Sequence, residues 1–561
     1  MTNKQTGMPR GAKALLITIG IIMLVACGLV ALVLTQMNAD PDEPSVKREN
    51  SRQVTLRIAC SPEKAELLAE LANEFNESKS KLQDKRTVVV ETFSLAPDEM
   101  VEQAQSGAFQ AVSPDSSLWL GEIDRDWYAT SDSETGLVGD TARYMISPVV
   151  IAMWQDVAAD LGYPAREIGW SDILDAAEND GLQWSHPSTD SASGLLATLA
   201  IFYVGSGQTR DLSEAMVTDP DTLAYVTAVE KSVKHYGEGE LAILQRVQEQ
   251  GPEFLDAFVV QEQLVIRHNQ TQADKLVAIY PAEGTLWEDH PLALLETVDR
   301  SDGERQAFQL FKTFLLSRPV QERLLAEGYR PSDLELSLDG AGSPFRAENG
   351  VDASRPYTTM QMPSSAVIKV VKDVWLYTKR HANVYLVVDT SGSMAGTKLD
   401  DTQDALRAFV GQMQSDWDRV GLITFASDVK EVMPLTQLGE GRGELLGRIG
   451  QLEAIGNTAL SDGVALAVGR LEALDDSERI NAVVVMTDGR ENASRTRCQT
   501  LAQEIAATQS SQTPVLVFCI AYGRDADYRV LQAFADAGGG FASEGDLETI
   551  QALYETLSTY F

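Results

Sequence analysis

From residue 382 onward, short apolar runs alternate with stretches of helical apolar spacing, and this pattern restricts the possible folds. The runs are NVYLVV (Asn383–Val388), VGLITF (Val420–Phe425), AVVVM (Ala482–Met486) and PVLVFCIAY (Pro514–Tyr522). They are short and largely β-branched, which predicts strands covered on both faces. Helices are predicted over Leu399–Met413, Leu445–Leu452, Leu460–Leu474, Arg497–Ala507, Asp527–Ala537 and Leu547–Leu557. We therefore expect a parallel sheet with helices on both faces, a doubly wound α/β fold.

Oxygen-bearing side chains follow two of these strands and precede one helix. The first strand ends in D-T-S-G-S-M from residue 389, the AVVVM strand ends in T-D-G from residue 487, and Thr458 precedes the helix at Leu460. Loops at the carboxyl ends of parallel strands meet at one edge, and small divalent cations prefer oxygen ligands. The sequence predicts a metal site made of Asp389, Ser391, Ser393, Thr458 and Asp488. The alternatives are helix-capping turns without a ligand, or a degenerate site that binds no metal.

The D-x-S-x-S pattern, the Gly456-Asn457-Thr458 loop and T-D-G resemble the metal-ion-dependent adhesion site of von Willebrand factor A (VWA) domains. The resemblance covers residues 382–561 and implies a Rossmann-like VWA fold. It also implies that the three hydroxyls contact Mg²⁺, with Mn²⁺ or Ca²⁺ as alternatives. The two aspartates would act directly or through water, and one position would remain for a carboxylate of a protein partner.

Near the start, Ala14–Thr35 is a run of 22 residues without a charge, long enough to cross a bilayer as a helix. Basic residues precede it and acidic residues follow it closely, although Lys and Arg are balanced over a wider window. We expect a cytoplasmic N-terminus (1–13), a transmembrane signal anchor (14–35) and a linker (36–53).

A cleaved signal peptide and a lipoprotein are the alternatives for this segment. Leu24-Val25-Ala26-Cys27 resembles a bacterial lipobox, in which Cys27 would be lipidated. The apolar run, however, continues for eight residues beyond Cys27, which favours the uncleaved anchor. All three alternatives place the bulk of the chain outside the cytoplasm, and the expected anchor holds it at the cell membrane.

Residues 54–336 also have an α/β pattern, with hydroxyls before several helices. Strands are predicted over Val54–Ala59, Thr87–Glu91, Met145–Trp154 and Leu276–Tyr280, and helices over Glu63–Phe75, Leu195–Tyr203, Glu304–Leu316 and Pro319–Tyr329. The hydroxyls belong to Ser61, Ser116, Ser117, Ser188, Thr189 and Ser191. Helix N-termini favour anions, which makes these residues candidate ligand contacts. Plain capping is the alternative, and Asp115, Asp190 and Glu283 in the same loops would repel an anion.

Five segments in order resemble bacterial extracellular solute-binding proteins of the two-lobed, hinge-closing type (type II periplasmic-binding proteins). They are VTLRIACSPEKAELL, SPDSSLWL, PVVIAMW with IGWSDIL, PSTDSASGLLA and IYPAEGTLWEDHP. The resemblance implies a small solute held between two lobes by helix N-termini and loop hydroxyls. A surface that no longer binds a solute is the alternative. Residues 337–381 are predicted to be a linker with a bridging helix over Val367–Thr378.

The net charge and the absence of several motifs argue against a number of functions. The net charge of −36 argues against nucleic-acid binding, which needs clustered Lys and Arg. HExxH, GxSxG and phosphate-loop motifs are absent, and Ser61-Pro62-Glu63-Lys64 matches S-x-x-K without its companion motifs. We therefore expect a protein that is not an enzyme. Cys498 and Cys519 could pair or remain free thiols.

These features together predict a bacterial, membrane-anchored extracytoplasmic binding or adhesion protein. Its C-terminal domain would bind a metal and a partner carboxylate. One alternative is a solute-capture or sensing component of a transport system whose C-terminal domain docks a membrane complex. The other is a structural envelope protein with an inert metal site.

Overall fold

The structure, a computed structural model, describes residues 52–131, 133–237, 239–509, 511, 513–523, 525–545, 557, 560 and 561. The predicted anchor at 14–35, Cys27, nearly all of the following linker and most of the predicted helix Leu547–Leu557 lie outside these residues. None of the helices in the described ranges combines the length and the apolar character needed to cross a membrane.

The first part of the described chain contains eleven strands and twelve α-helices. The strands are β1 (Gln53–Cys60), β2 (Thr87–Ser94), β3 (Ala111–Ser113), β4 (Val138–Arg143), β5 (Met145–Trp154), β6 (Trp184–Ser185), β7 (Ala257–Gln261), β8 (Leu276–Ile279), β9 (Trp287–Glu288), β10 (Pro291–Leu295) and β11 (Arg330–Pro331). The helices are α1 (Pro62–Glu77), α2 (Pro97–Gln103), α3 (Leu118–Thr130), α4 (Gln155–Asp160), α5 (Trp170–Asn179), α6 (Ala192–Gly205), α7 (Glu214–Val217), α8 (Pro220–Ser232), α9 (Glu240–Gln250), α10 (Glu262–Thr271), α11 (Asp302–Leu315) and α12 (Arg318–Ala326).

These elements form two lobes, each built on its own sheet. Lobe I has the strand order β2-β1-β3-β10-β4, and lobe II has β11-β5-β7-β6 with β8 and β9 also paired to β5. The chain crosses between the sheets after β4, after β9 and before β11. Leu56, Phe308 and Phe311 belong to the core of lobe I, while Ile151 and Trp184 belong to that of lobe II. The predicted two-lobed α/β architecture is therefore present.

The C-terminal domain is a six-stranded sheet flanked by helices. Its strands are β12 (Ala382–Asp389), β13 (Arg419–Phe425), β14 (Val429–Gln437), β15 (Ile480–Thr487), β16 (Val515–Tyr522) and β17 (Ala542–Gly545). The remaining helices are α13 (Ser365–Thr378), α14 (Thr397–Gln412), α15 (Leu438–Ile449), α16 (Leu460–Leu474), α17 (Cys498–Thr508) and α18 (Tyr528–Ala537). The strand order is β14-β13-β12-β15-β16-β17.

The prediction of an entirely parallel sheet is wrong at one edge. Five strands are parallel, but β14 runs antiparallel to β13 and was not predicted. Its sequence includes Lys430, Glu431 and Pro434, so it lacks the apolar run that marks a central strand. A tight turn, in which Ala426 N donates to Asp428 O at 3.0 Å, reverses the chain between the two strands.

Helix α13 joins lobe II to the C-terminal domain. Its buried side chains Val371 and Trp375 belong to one continuous apolar core that includes lobe II and one face of the C-terminal sheet. The Trp375 ring meets Tyr236 of lobe II edge-on, with centroids 5.2 Å apart. Immediately after the helix, Lys379 Nζ lies 3.1 Å from Asp418 Oδ2, and both side chains are buried. The helix is thus packed on both neighbours.

The segment before α13 and the two C-terminal cysteines are also placed. Val351 and Met360 of the glycine-rich segment are buried, and Gly350 O accepts a hydrogen bond from Ala278 N of β8 at 2.7 Å. The segment therefore lies against lobe II. Cys498 and Cys519 are free thiols, which decides between the two alternatives left open by the sequence.

Candidate functional site

The predicted metal residues lie at the carboxyl edge of the C-terminal sheet. Strand β12 ends at Asp389 and the neighbouring parallel strand β15 ends at Thr487, one residue before Asp488. The two strands pair in register, with Val388 opposite Met486. Both aspartates therefore emerge side by side, because adjacent parallel strands end at the same edge.

The Asp389 carboxylate is buried and held by two donors. Ser391 N donates to its Oδ1 at 2.7 Å, and the Thr487 hydroxyl donates to its Oδ2. Burial raises the pKa of Asp389, while the hydrogen bonds from Thr487 and Ser391 oppose this shift and the charge of Asp488 adds to it. A cation at this edge would offset the cost of burying the charge.

The two serines connect the first loop to Asp488. A short 3-10 turn over Gly392–Met394 brings Ser391 Oγ to 3.0 Å from Ser393 Oγ. Ser393 Oγ in turn donates to Asp488 Oδ1 at 2.7 Å. The side chains predicted from the two strand ends are therefore joined in one chain of contacts.

Thr458 reaches the same place from the third loop. A Cβ built on Gly489 would lie 3.1 Å from Thr458 Oγ1 and 3.6 Å from Asp389 Oδ2, so the hydroxyl and the carboxylate flank this glycine. Asn492 fixes the loop: Thr458 N donates to Asn492 Oδ1 at 2.9 Å, and Asn492 N donates to Thr458 O at 3.0 Å. The structure thus brings all five predicted residues together.

Lys398, in the first turn of α14, is a member of the site that the sequence analysis missed. Its ammonium forms a short ion pair with Asp488 Oδ2, although the lysine side chain is 34% exposed and the aspartate is fully buried. The site therefore contains two carboxylates and one ammonium, which leaves one negative charge without a positive partner. Thr487 and Asn492 were also not predicted as site residues, although Thr487 belongs to the T-D-G motif and Asn492 follows it closely.

The donor set fits a hard divalent cation. It consists of two carboxylates and three hydroxyls, which are the oxygen ligands that Mg²⁺ and Ca²⁺ take. No three His, Cys, Asp or Glu side chains within the described ranges are grouped as a metal site, so this site would depend on its hydroxyls. Ser393 and Asn457 are exposed, and the neighbouring Ile455 is 76% exposed. The site therefore opens to solvent beside an apolar side chain.

The six candidate solute contacts fall into two groups. In lobe I, Ser61 Oγ accepts from Asp115 N at 2.9 Å, Ser116 Oγ accepts from Leu118 N at 3.4 Å, and Ser117 N donates to an Asp289 oxygen at 2.7 Å. These contacts stabilise loops and a helix start. The Ser61 and Ser116 hydroxyls are therefore engaged within lobe I, whereas the contact of Ser117 is made by its backbone N–H.

In lobe II, Ser191 caps α6 by accepting from Gly194 N at 3.1 Å, and Ser188 Oγ lies 3.3 Å from Asp190 Oδ2. Ser188 and Thr189 line a cavity of 240 Å³ together with α13 and the loop after α14. In the described structure, no hydrogen bond joins the candidates of one lobe to those of the other.

Family comparisons agree with this architecture. Residues 56–330 match the family "Bacterial extracellular solute-binding protein", and residues 383–556 match "von Willebrand factor type A domain". The chain joins a solute-binding domain to a VWA domain. Both are families of binding or adhesion domains, and the first indicates an extracytoplasmic location. VWA domains commonly bind a divalent metal.

Curated relatives share only part of the chain. Inter-alpha-trypsin inhibitor heavy chain H4 of Sus scrofa is 24% identical over 257 residues, which is 44% of this chain and 26% of that protein. The human heavy chain H3 is 28% identical over 190 residues, 31% of this chain and 21% of that protein. The matched stretches thus span about a quarter or less of these relatives.

Solved structures resemble each domain. The sulfate-binding protein SubI of Mycobacterium tuberculosis is 19% identical, with a TM-score of 0.35 over 50% of this chain and 88% of that chain. The ferric binding protein of Campylobacter jejuni is 14% identical, with a TM-score of 0.39 over 57% and 96%. The von Willebrand factor type A protein of Catenulispora acidiphila is 24% identical, with a TM-score of 0.29 over 32% and 43%.

Proposed function

We propose that the VWA domain binds one divalent cation, Mg²⁺ or alternatively Mn²⁺ or Ca²⁺, through Asp389, Ser391, Ser393, Thr458 and Asp488. The cation would leave a position for a carboxylate of a protein partner. The observation that carries this proposal is the meeting of these five oxygen side chains at a solvent-exposed edge. The chain would act as an extracytoplasmic binding or adhesion protein rather than an enzyme, tethered to the membrane by residues 14–35.

The chain's own residues would have separate tasks in this role. Thr487 and Ser391 N would hold the Asp389 carboxylate in place, since both donate to it. Asn492 would position Thr458 through its two hydrogen bonds. Ile455 would supply apolar contact area beside the metal and would help to exclude water from the carboxylate contact.

Calorimetric titration of Mg²⁺ into the full chain tests the metal site. We expect binding to the wild type and at least about a hundredfold weaker binding to Asp389→Asn, because a buried charged ligand is lost. Asp404→Asn, an exposed aspartate on α14, is the matched control and should bind like wild type. Equal Mg²⁺ affinity in Asp389→Asn and wild type would refute the site.

Partner binding is tested by capture from the native envelope with Mg²⁺ and with EDTA. We expect a partner that binds wild type only with Mg²⁺ and that does not bind Asp389→Asn in either buffer. Equal capture with Mg²⁺ and EDTA would defeat the proposed carboxylate contact, whatever the result of the metal titration.

A second candidate function is solute capture or sensing coupled to docking of a membrane complex by the VWA domain. The continuous core through α13 and the buried Lys379–Asp418 pair favour it, because a lobe movement could pass to the VWA domain. A thermal-shift screen of oxyanions, sugars and amino acids separates the two functions. A solute that stabilises the chain and changes partner capture would support the second.

A further inference from the structure

The partly buried Glu63 and the buried carboxylates of Asp115, Glu240 and Glu288 lie within electrostatic range of one another between the lobes, outside the proposed metal site. Glu63 starts α1 and Asp115 lies before α3 in lobe I, Glu240 starts α9 in lobe II, and Glu288 lies at the crossing between β9 and β10. Asp115 is 3% exposed, and Glu240 and Glu288 are 1% or less. A Cβ on Gly239, beside Glu240, would lie 3.9 Å from Glu63 Oε1, so the two lobes meet here.

One ammonium accompanies these four carboxylates, and it is engaged elsewhere. Lys64 Nζ donates to Pro114 O at 2.5 Å and lies 3.2 Å from His290 Nδ1. Among the described residues, no Lys, Arg or His nitrogen lies within ion-pair distance of Glu63, Asp115, Glu240 or Glu288. Burial lowers the pKa of His290 well below its usual value, so this residue adds no positive charge.

Several buried polar atoms of the cluster lack a hydrogen-bond partner in the described structure. They are both oxygens of Glu288, Glu63 Oε2, Gln261 Oε1, His290 Nε2 and the Tyr329 hydroxyl. Gln261 belongs to the cluster because its side-chain amide donates to Glu240. The equally buried Glu262, in contrast, accepts hydrogen bonds from Arg330 and Tyr280. Unpartnered buried acceptors are costly, which points to a missing donor.

The position of two of these carboxylates disfavours an anionic solute. Glu63 and Glu240 lie in the first turns of α1 and α9, where free N–H groups would otherwise attract an anion. A bare metal ion is also disfavoured, since no three carboxylates or histidines of the described residues are grouped closely enough to ligate one. The acceptors are instead spread over both lobes and the crossing segments.

We propose that this interlobe cluster binds a small organic cation whose ammonium or guanidinium N–H groups donate to Glu288, Glu63 and Gln261. Such a solute supplies both the positive charge and the several donors that these acceptors lack. It would enter when the lobes part at their three crossings and would be enclosed when Glu63 meets Gly239. This site is independent of the VWA metal site, so failure of either proposal leaves the other standing.

The test uses the full chain with spermidine, which carries ammonium groups, and agmatine, which carries a guanidinium group. Thermal-shift and calorimetric titrations are made with EDTA and about 0.15 M NaCl, which removes metals and screens non-specific attraction to the acidic surface. We expect at least one of these probes to raise the Tm of wild type. Glu288→Gln should weaken that binding by about tenfold or more, because a charge-assisted acceptor is lost.

Glu230→Gln is the matched control, since Glu230 is a fully buried lobe II carboxylate that contacts His186 and Tyr236 instead of the cluster. It removes the same charge and should leave probe affinity within about threefold of wild type. The proposal is overturned if neither probe binds or if Glu288→Gln binds the probe as well as wild type. If Glu288→Gln has a higher Tm than wild type and neither probe binds, the carboxylates of the cluster share protons among themselves and hold no solute.

Discussion

At the edge of the VWA sheet, two carboxylates meet three hydroxyls and one lysine at a surface open to solvent. Between the lobes, three buried carboxylates and the partly buried Glu63 accompany one buried lysine. Asp389 has its donors from Ser391 and Thr487, whereas Glu288 has no hydrogen-bond partner on either oxygen in the described structure. The protein therefore holds the VWA carboxylates in place before any ion binds. The negative charge of the interlobe carboxylates depends on protons or a solute for its neutralisation.

The pH dependence of the free energy of unfolding should show the largest difference between the two sites. Burial raises the pKa of Glu63 from its model-peptide value of 4.5 to about 8, with the charge of Asp115 adding to the shift. The folded chain therefore holds this proton more tightly than the unfolded chain, and the free energy of unfolding falls as pH rises from about 4.5 to 8. The loss is on the order of a few kcal/mol. Above pH 8 it levels off, and Lys64, whose pKa burial lowers to about 8, acts in the opposite direction.

Denaturant titrations between pH 5 and 8 measure this effect. Glu63→Gln should flatten the decrease, and a bound organic cation should reduce it, while Asp404→Asn should keep the slope of wild type. An unchanged slope in Glu63→Gln would remove Glu63 as its source and would weaken the contrast between the two sites.

The metal site was largely predictable because its residues carry a sequence pattern. Asp389, Ser391, Ser393, Thr458 and Asp488 come from short motifs placed directly at strand ends or before a helix, and register then brings them together. Lys398 was not predicted, since the fold rather than a motif directs its ammonium to Asp488. The interlobe cluster was not predicted either, because its four carboxylates are separated by up to 225 residues and share no pattern.

The secondary structure predicted from the sequence was wrong where local propensity and tertiary packing disagree. Helix α15 begins at Leu438, seven residues before the predicted start at Leu445. Its first two turns contain Gly439, Gly441 and Gly443, which disfavour a helix in isolation, but burial of Leu438 holds them in place. Strand β17 was missed because ASEG is short and polar, and it forms by pairing with β16.

A smaller effect on Mg²⁺ affinity is expected when one hydrogen bond that holds the Asp389 carboxylate is removed. Thr487→Val keeps the shape of the side chain but removes the hydroxyl that donates to Asp389 Oδ2. One hydrogen bond to a charged group corresponds to about 1.5–3 kcal/mol, so Mg²⁺ affinity should fall by about tenfold or more. Thr424→Val, at the end of β13, is the control for the substitution itself. Unchanged Mg²⁺ affinity in calorimetry would show that preorganisation of Asp389 contributes little.

The smallest expected effect concerns Lys398, which balances part of the open site. Lys398→Met should raise Mg²⁺ affinity by about fivefold, since it removes an ammonium that competes with the cation for Asp488. The effect is small because the lysine side chain is 34% exposed, so solvent partly screens the pair. Lys369→Met on α13, where the lysine pairs with Asp373, should leave the affinity unchanged. Weaker Mg²⁺ binding in Lys398→Met would mean that the lysine supports the site instead of competing with the cation.

The most direct test of the VWA site is water-proton relaxation with Mn²⁺ bound to the full chain, because it reports metal binding and open coordination positions together. We expect enhanced relaxation from one bound Mn²⁺ that keeps exchangeable water, a decrease when acetate is added as the carboxylate, and no enhancement in Asp389→Asn. Enhancement that survives in Asp389→Asn would contradict a metal held by these residues. Enhancement that acetate leaves unchanged in wild type would contradict a coordination position open to a carboxylate.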